Sequence, residues 1–161
     1  MLFRSSGHRI VDNEIRGGNL WAFGCQDVEV RGNRQSGIRW GTGIDFIGGT
    51  GHVVEDNDIA DDLCAVRLTG VVRSRVVGNR VRTRWWGIHF RGSTSCESRA
   101  NEVARTMRAQ CVEGGFGNTV AGNVATRCDS SVLVEQGARD TEVRNNRADD
   151  CRIDTLVWES S

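Results

Sequence analysis

The sequence contains no proline, no lysine and no tyrosine, and its 21 basic residues are all arginine. Proline cannot donate to a sheet ladder, so its absence suits a chain built of uninterrupted strand pairing. Without Tyr or Lys, no phenolate or amine is present to act as a catalytic base. Long apolar runs are missing too. Nothing approaches the roughly 20 apolar residues of a membrane-spanning helix, and no signal-peptide pattern is present. The arginines are matched by 21 acidic residues, giving a net charge of zero. Bulk electrostatic attraction to nucleic acid or to an anionic membrane is therefore not expected. The six cysteines (Cys25, Cys64, Cys96, Cys111, Cys128 and Cys151) form no C-x-x-C or Cys/His spacing of a zinc site.

What the chain does have is a repeat. Short apolar runs recur around an Asn, as in VVGN before Arg80, and the series is Asn13, Asn33, Asn57, Asn79, Asn101, Asn123 and Asn146. The spacings are 20, 24, 22, 22, 22 and 23 residues. A fixed period in this range marks a solenoid. Three residues before each Asn stand Ile10, Val30, Val54, Val76, Ser98, Val120 and Val143; two after it stand Ile15, Gln35, Ile59, Val81, Val103, Ala125 and Ala148. Further along come alternating pairs: Ile44/Phe46, Val66/Leu68, Ile88/Phe90, Gln110/Val112, Val132/Val134 and Thr155/Val157. Period two means strands with one buried face, and no stripe of period 3.6 is long enough for a helix.

Three short strands per 22-residue turn describe an all-β, right-handed parallel β-helix of about seven turns, one domain spanning 1–161. The Asn is expected at a tight bend, where it tolerates the left-handed backbone region and bonds its counterparts above and below in an Asn ladder. Gly32, Gly78 and Gly122, each just before an Asn, relax the same bend.

The V-x-G-N-x-V and GI-x-F units resemble the pectate-lyase-like superfamily of right-handed β-helix proteins, over nearly the whole chain. That resemblance implies the fold. It leaves function open among polysaccharide lyases, hydrolases, epimerases, phage tailspikes and non-catalytic modules. The LFRSS at Leu2–Ser6 is similar to HFRGS at His89–Ser93, so the chain reads from third strand to third strand without an evident polar cap. A segment of a longer protein, or end-to-end and oligomeric contacts at open ends, are the expectations; the compartment stays open.

Many charges have a structural explanation. Residues just after the Asn alternate in sign (Glu14, Arg34, Asp58, Arg80, Glu102), as opposed strands favour. The acidic stretch Glu55–Asp62 raises the question of calcium, but no calcium-loop spacing appears; a solvated bend containing Asp61 and Asp62 is expected, and no cofactor or metal. Cys128 and Cys151 share a repeat position, where a disulfide or plain packing are both open. His8 and His52 are assigned no role.

The third strand breaks the alternation. Its outward positions read Asp45, Arg67, His89, Cys111 and Leu133, then Ile47, Thr69, Arg91, Glu113 and Glu135. Trp40, Trp85 and Trp86 precede it, and aromatic rings stack on sugar faces. In the resembling superfamily, active grooves commonly lie on this sheet, although the D-P-H, G-H-G and R-I-K signatures are absent here. Three chemistries follow. His89 serves as base in β-elimination or epimerisation of a uronate, with Arg67 or Arg91 neutralising the carboxylate. Alternatively Glu113 and Glu135, one turn apart, act as a retaining-glycosidase pair, their repulsion raising one pKa. Or the ion pairs Asp45–Arg67 and Arg91–Glu113 are only structural. The expected function is binding, and conceivably processing, of an acidic polysaccharide or oligosaccharide, with Asp45, Trp40, Trp85 and Trp86 contacting it. The alternative is a non-catalytic structural or interaction segment of a larger surface or fibre protein.

Overall fold

In the computed structural model, which describes residues 1–38 and 40–158, the chain winds as a parallel β-solenoid of twenty strands with no helix among the described residues. Every strand pair is parallel and joins one turn to the next. The strands before each Asn (Arg9–Val11, Glu29–Arg31, Val53–Glu55, Arg75–Val77, Glu97–Arg99, Thr119–Ala121 and Glu142–Arg144) form one seven-stranded sheet. The strands after the Asn form a second face. The GI-x-F strands form a third, including Thr42–Thr50, Arg108–Glu113 and Ser130–Glu135. In two central turns the second and third strands are not separate. Asp58–Thr69 and Arg80–Arg91 each run through as one twelve-residue strand. Asp61 and Asp62 thus lie in a strand, not in the expected bend; their side chains lie outside the described residues. The reason is local. Other turns bend here through a left-handed residue, as at Gly17, Arg105, Arg127 and Asp150, and these two turns have none.

The interior is the predicted set of rows. Val30, Val54, Val76, Val120, Ile59, Val81 and Val103 are all 1% exposed or less, as are Ile44/Phe46, Val66/Leu68 and Ile88/Phe90. Polar residues that enter these rows are satisfied in part, and among the described residues Gln35 Oε1 and Gln110 Nε2 are buried without a partner. Ser98 Oγ donates to Gln110 Oε1 across the core (2.7 Å), and Gln35 Nε2 donates to the carbonyls of Gly18 and Gly43.

The Asn ladder is continuous over all seven residues. Each of the first six Asn residues donates its backbone N–H and its side-chain N–H to Oδ1 of the Asn one turn on, as from Asn57 to Asn79 (3.0 and 2.9 Å). The same side-chain amide holds a carbonyl of the previous turn, such as Asn79 Nδ2 to Val54 O (2.9 Å). One detail differs from expectation. The left-handed residue is not the Asn but the one before it: Asp12, Gly32, Asp56, Gly78, Ala100, Gly122 and Asn145. The Asn keeps ordinary backbone angles because its amide, not its φ, makes the bend. In the first four turns Asp and Gly alternate there for a steric reason. A Cβ on Gly78 would meet Asp56 Oδ1 at 2.5 Å, so an Asp on one turn requires a Gly on the next.

A second ladder runs five residues before the first, with varied chemistry. His52 N donates to Ser74 Oγ (3.0 Å), and Cys96 N to Asn118 Oδ1 (3.0 Å). His52, unassigned from sequence, is a bend residue here: 1% exposed, packed on Phe46 and accepting from Val28 N through Nδ1.

Candidate functional site

The outer face of the third sheet is set by register. Trp21, Asp45, Arg67, His89, Cys111, Leu133 and Leu156 stand in one row across the turns; Ile47, Thr69, Arg91, Glu113 and Glu135 stand in the next. A register shift between Thr83 and Trp86 marks an irregularity in the strand leading into the site. Irregularities of this kind re-aim side chains. Here Trp86 turns into the face and Trp85 stays half exposed outside it. Gly87 allows the passage, since any Cβ there would sit 2.5 Å from Ala109 O.

The result is a groove of about 410 Å3 lined by Trp21, Leu63, Arg67, Trp86, His89, Arg91 and Glu113, together with Gly41, Thr42 and Cys64. Its floor is polar and internally paired. Asp45, only 1% exposed, accepts from Arg67 Nε (3.1 Å) and from Arg67 Nη2 in a bidentate pair. Glu113 is held by two partners: His89 Nε2 at 3.1 Å and Arg91 Nε at 3.2 Å. The Trp86 indole stacks on the His89 ring, with centroids 5.7 Å apart and planes 17° from parallel. Burial pushes the His89 pKa below its ordinary value; Glu113 opposes this, and Arg67 and Arg91 reinforce it. His89 is therefore a neutral imidazole at neutral pH. Its Nε2 donates to the Glu113 carboxylate, which leaves Nδ1 as the basic nitrogen.

The structure brings together Asp45, Arg67, His89, Arg91, Glu113 and Trp86 from the sequence-predicted set. It separates others. Trp40 is 79% exposed, and neither Trp40 nor Trp85 lines the groove. Glu135 is one turn beyond the groove and is engaged by Arg108 Nη1 at 2.9 Å. Glu113 and Glu135 are directly opposed, as expected. Each also has a cation of its own, Arg91 for Glu113 and Arg108 for Glu135. His89 is not an ordinary exposed residue; it is buried. Sequence reasoning missed Trp21, which opposes Asp45 in register but precedes the repeat's recognisable third strand, and Arg108, the counter-ion of Glu135.

The match to a family model decides what this molecule is related to. Residues 26–160 match the family described as "Periplasmic copper-binding protein (NosD)". The chain belongs to the NosD family. No curated protein matches it. Two solved structures of QnrB1, a plasmid-mediated fluoroquinolone resistance protein, align with this NosD-family chain at 14% and 13% identity. They cover 86% of this chain and 91% and 90% of theirs, with TM-scores of 0.27 and 0.25. Among the described residues of this NosD-family chain, no three His, Cys, Asp or Glu side chains converge as a metal cluster, and no helix is long and apolar enough to cross a membrane. Cys128 and Cys151 are not joined in a disulfide. Burial pushes Cys111 up to about 12 and Cys128 up to about 11, with Glu135 adding to the first and Cys151 to the second.

Proposed function

We propose that this NosD-family β-helix binds a uronate-containing saccharide in the groove of its third sheet. The observation that carries the reading is an aromatic wall beside two guanidinium groups that, among the described residues, retain unused donors. Arg67 commits Nε and Nη2 to Asp45, which leaves Nη1; Arg91 is bonded through Nε to Glu113, which leaves both terminal nitrogens. A sugar carboxylate takes N–H donors of this kind in charge-assisted bonds. The apolar face of a sugar ring is matched by the indole of Trp86 or Trp21. Binding is favoured over hydrolysis because the carboxylates here are saturated with cations: Asp45 by Arg67, Glu113 by His89 and Arg91, and Glu135 by Arg108. The test is calorimetric titration of uronate oligomers into wild-type protein and Arg91→Ala, with ultraviolet absorbance recorded on the same mixtures. Binding that weakens at least tenfold in the variant supports the reading. Heatless titrations across the panel refute it, and growth of an unsaturated product would replace binding with elimination by His89.

A second reading rests on the family description, which names copper. The groove does not fit a copper ion. Its imidazole lies between Arg67 and Arg91 and has Nε2 committed to Glu113. A donor set of the right chemistry lies elsewhere, at Cys128 and Cys151. Thiolates are soft ligands that select copper(I). When bound, the ion would supply a thiophilic, redox-capable centre, and the two sulfurs would be what holds it.

A further inference from the structure

We infer that Cys128 and Cys151 form a two-thiol copper(I) site on adjacent turns; this rests on the copper reading and assigns it residues. Both cysteines stand five residues after their ladder Asn. The paired strands before them are in register, Ala125 with Ala148 and Thr126 with Asp149. The register continues through the bend, because Arg127 N donates to Asp149 O (2.9 Å) and Arg152 N to Cys128 O (3.1 Å). The two residues therefore face each other across one strand spacing, about 4.8 Å. Their side chains repeat the same pose. Cys128 Sγ lies 3.4 Å from Thr126 O and 3.8 Å from Val103 O; Cys151 Sγ lies 3.6 Å from Asp149 O and 3.5 Å from Ala125 O.

No other cysteine among the described residues has a cysteine opposite it. Cys25 opposes Gly49, Cys64 opposes Thr42 and Trp86, and Cys111 opposes His89 and Leu133. Cys96 shares its row with Ser74 and Asn118. Access is graded as a metal site requires: Cys128 is buried, and Cys151 is partly exposed at the outer turn. Loading breaks two S–H bonds, forms two S–Cu bonds and releases two protons to solvent, with no electron transferred. The resulting anionic pair of thiolates is flanked in sequence by Arg127 and Arg152.

The row also supplies its own control. Thr106 occupies the same position one turn earlier, where Thr83 Oγ1 donates to its hydroxyl (3.4 Å). The bend therefore accepts threonine, and Cys128→Thr/Cys151→Thr is a variant the fold has already built once.

The experiment is anaerobic titration of reduced full-length protein with copper(I) against a chromogenic copper(I) chelator, followed by X-ray absorption spectroscopy of the loaded protein. Wild type is expected to withdraw one equivalent, with two sulfur scatterers around the metal. The double variant is expected to withdraw none, and Cys96→Ser to behave as wild type. One equivalent retained by the double variant, or nitrogen and oxygen scatterers in wild type, overturns the assignment while the copper reading stands. No uptake by wild type overturns both. The wild-type spectrum decides the ligands even if a variant fails to fold.

Discussion

Replacing Asn79 by Ala removes a fully connected side chain from the middle of the ladder. The residue is 1% exposed. Its Oδ1 accepts from Asn57 N and Asn57 Nδ2 (3.0 and 2.9 Å); its Nδ2 is shared among Val54 O, Val77 O and Asn101 Oδ1 (2.9, 3.0 and 2.9 Å). The substitution leaves two or three of these buried groups without partners. At about 1–3 kcal/mol for each stranded group, the cost is about 2–9 kcal/mol, a large part of the roughly 5–15 kcal/mol that holds a typical domain folded. Asn13→Ala is the matched control. Asn13 is exposed, and water takes over its bonds to Val11 O and Asn33 Oδ1, so about 1 kcal/mol or less is expected. Asn79→Asp should cost at least as much as Ala, because a carboxylate has no N–H for three facing oxygens. The assay is guanidinium denaturation followed by tryptophan fluorescence and far-ultraviolet dichroism. Equal midpoint shifts for Asn79→Ala and Asn13→Ala would refute the view that buried amide satisfaction, rather than Asn propensity for bends, makes the ladder.

Gly78→Ala should destabilise by about 2 kcal/mol or more, since it combines a left-handed φ with overpacking against Asp56. Adding Asp56→Ala should recover part of that loss in a double-mutant cycle, and strict additivity would contradict the alternation argument. Arg67→Ala strands the buried Asp45 and should cost about 3–5 kcal/mol, whereas Arg80→Ala breaks a pair in which both side chains are more than 60% exposed and should cost below about 1 kcal/mol; similar denaturation midpoints for the two would sink this reading. Acid should weaken the fold through His89 and His52, both lowered chiefly by burial. Between the folded pKa values and the ordinary histidine range near 6.5, the unfolded chain binds more protons. Stability is therefore full above that range and declines as pH falls through it. His52→Asn, matching Asn118 in the same row, should flatten the acid limb; an unchanged slope would refute the assignment.

How much of this was legible in the sequence depends on whether a position repeats its chemistry. The ladder Asn and the Val, Ile, Leu and Phe rows recur nearly unchanged, so period, turn number and strand faces could be read directly. The second ladder could not, because His52, Ser74, Cys96 and Asn118 perform one backbone task with four chemistries. The left-handed residue before each Asn was obscured in the same way, since Asp, Gly, Ala and Asn all fill it. Outward positions of the third strand followed from alternation, and so did the Asp45–Arg67 and Arg91–Glu113 pairs. The groove itself did not. It depends on a strand irregularity that turns Trp86 inward and leaves Trp85 outside, and on Trp21 arriving from a turn with a weak repeat pattern. Nor could alternation show that His89 is buried under Trp86 and shares Glu113 with Arg91.

The most direct test of the groove as the functional face is a crystal of the protein soaked with trigalacturonate. The account predicts difference density for a sugar ring on Trp86 or Trp21, with its carboxylate on the free terminal nitrogens of Arg91. Density at another face, or an empty groove at saturating ligand, would contradict it.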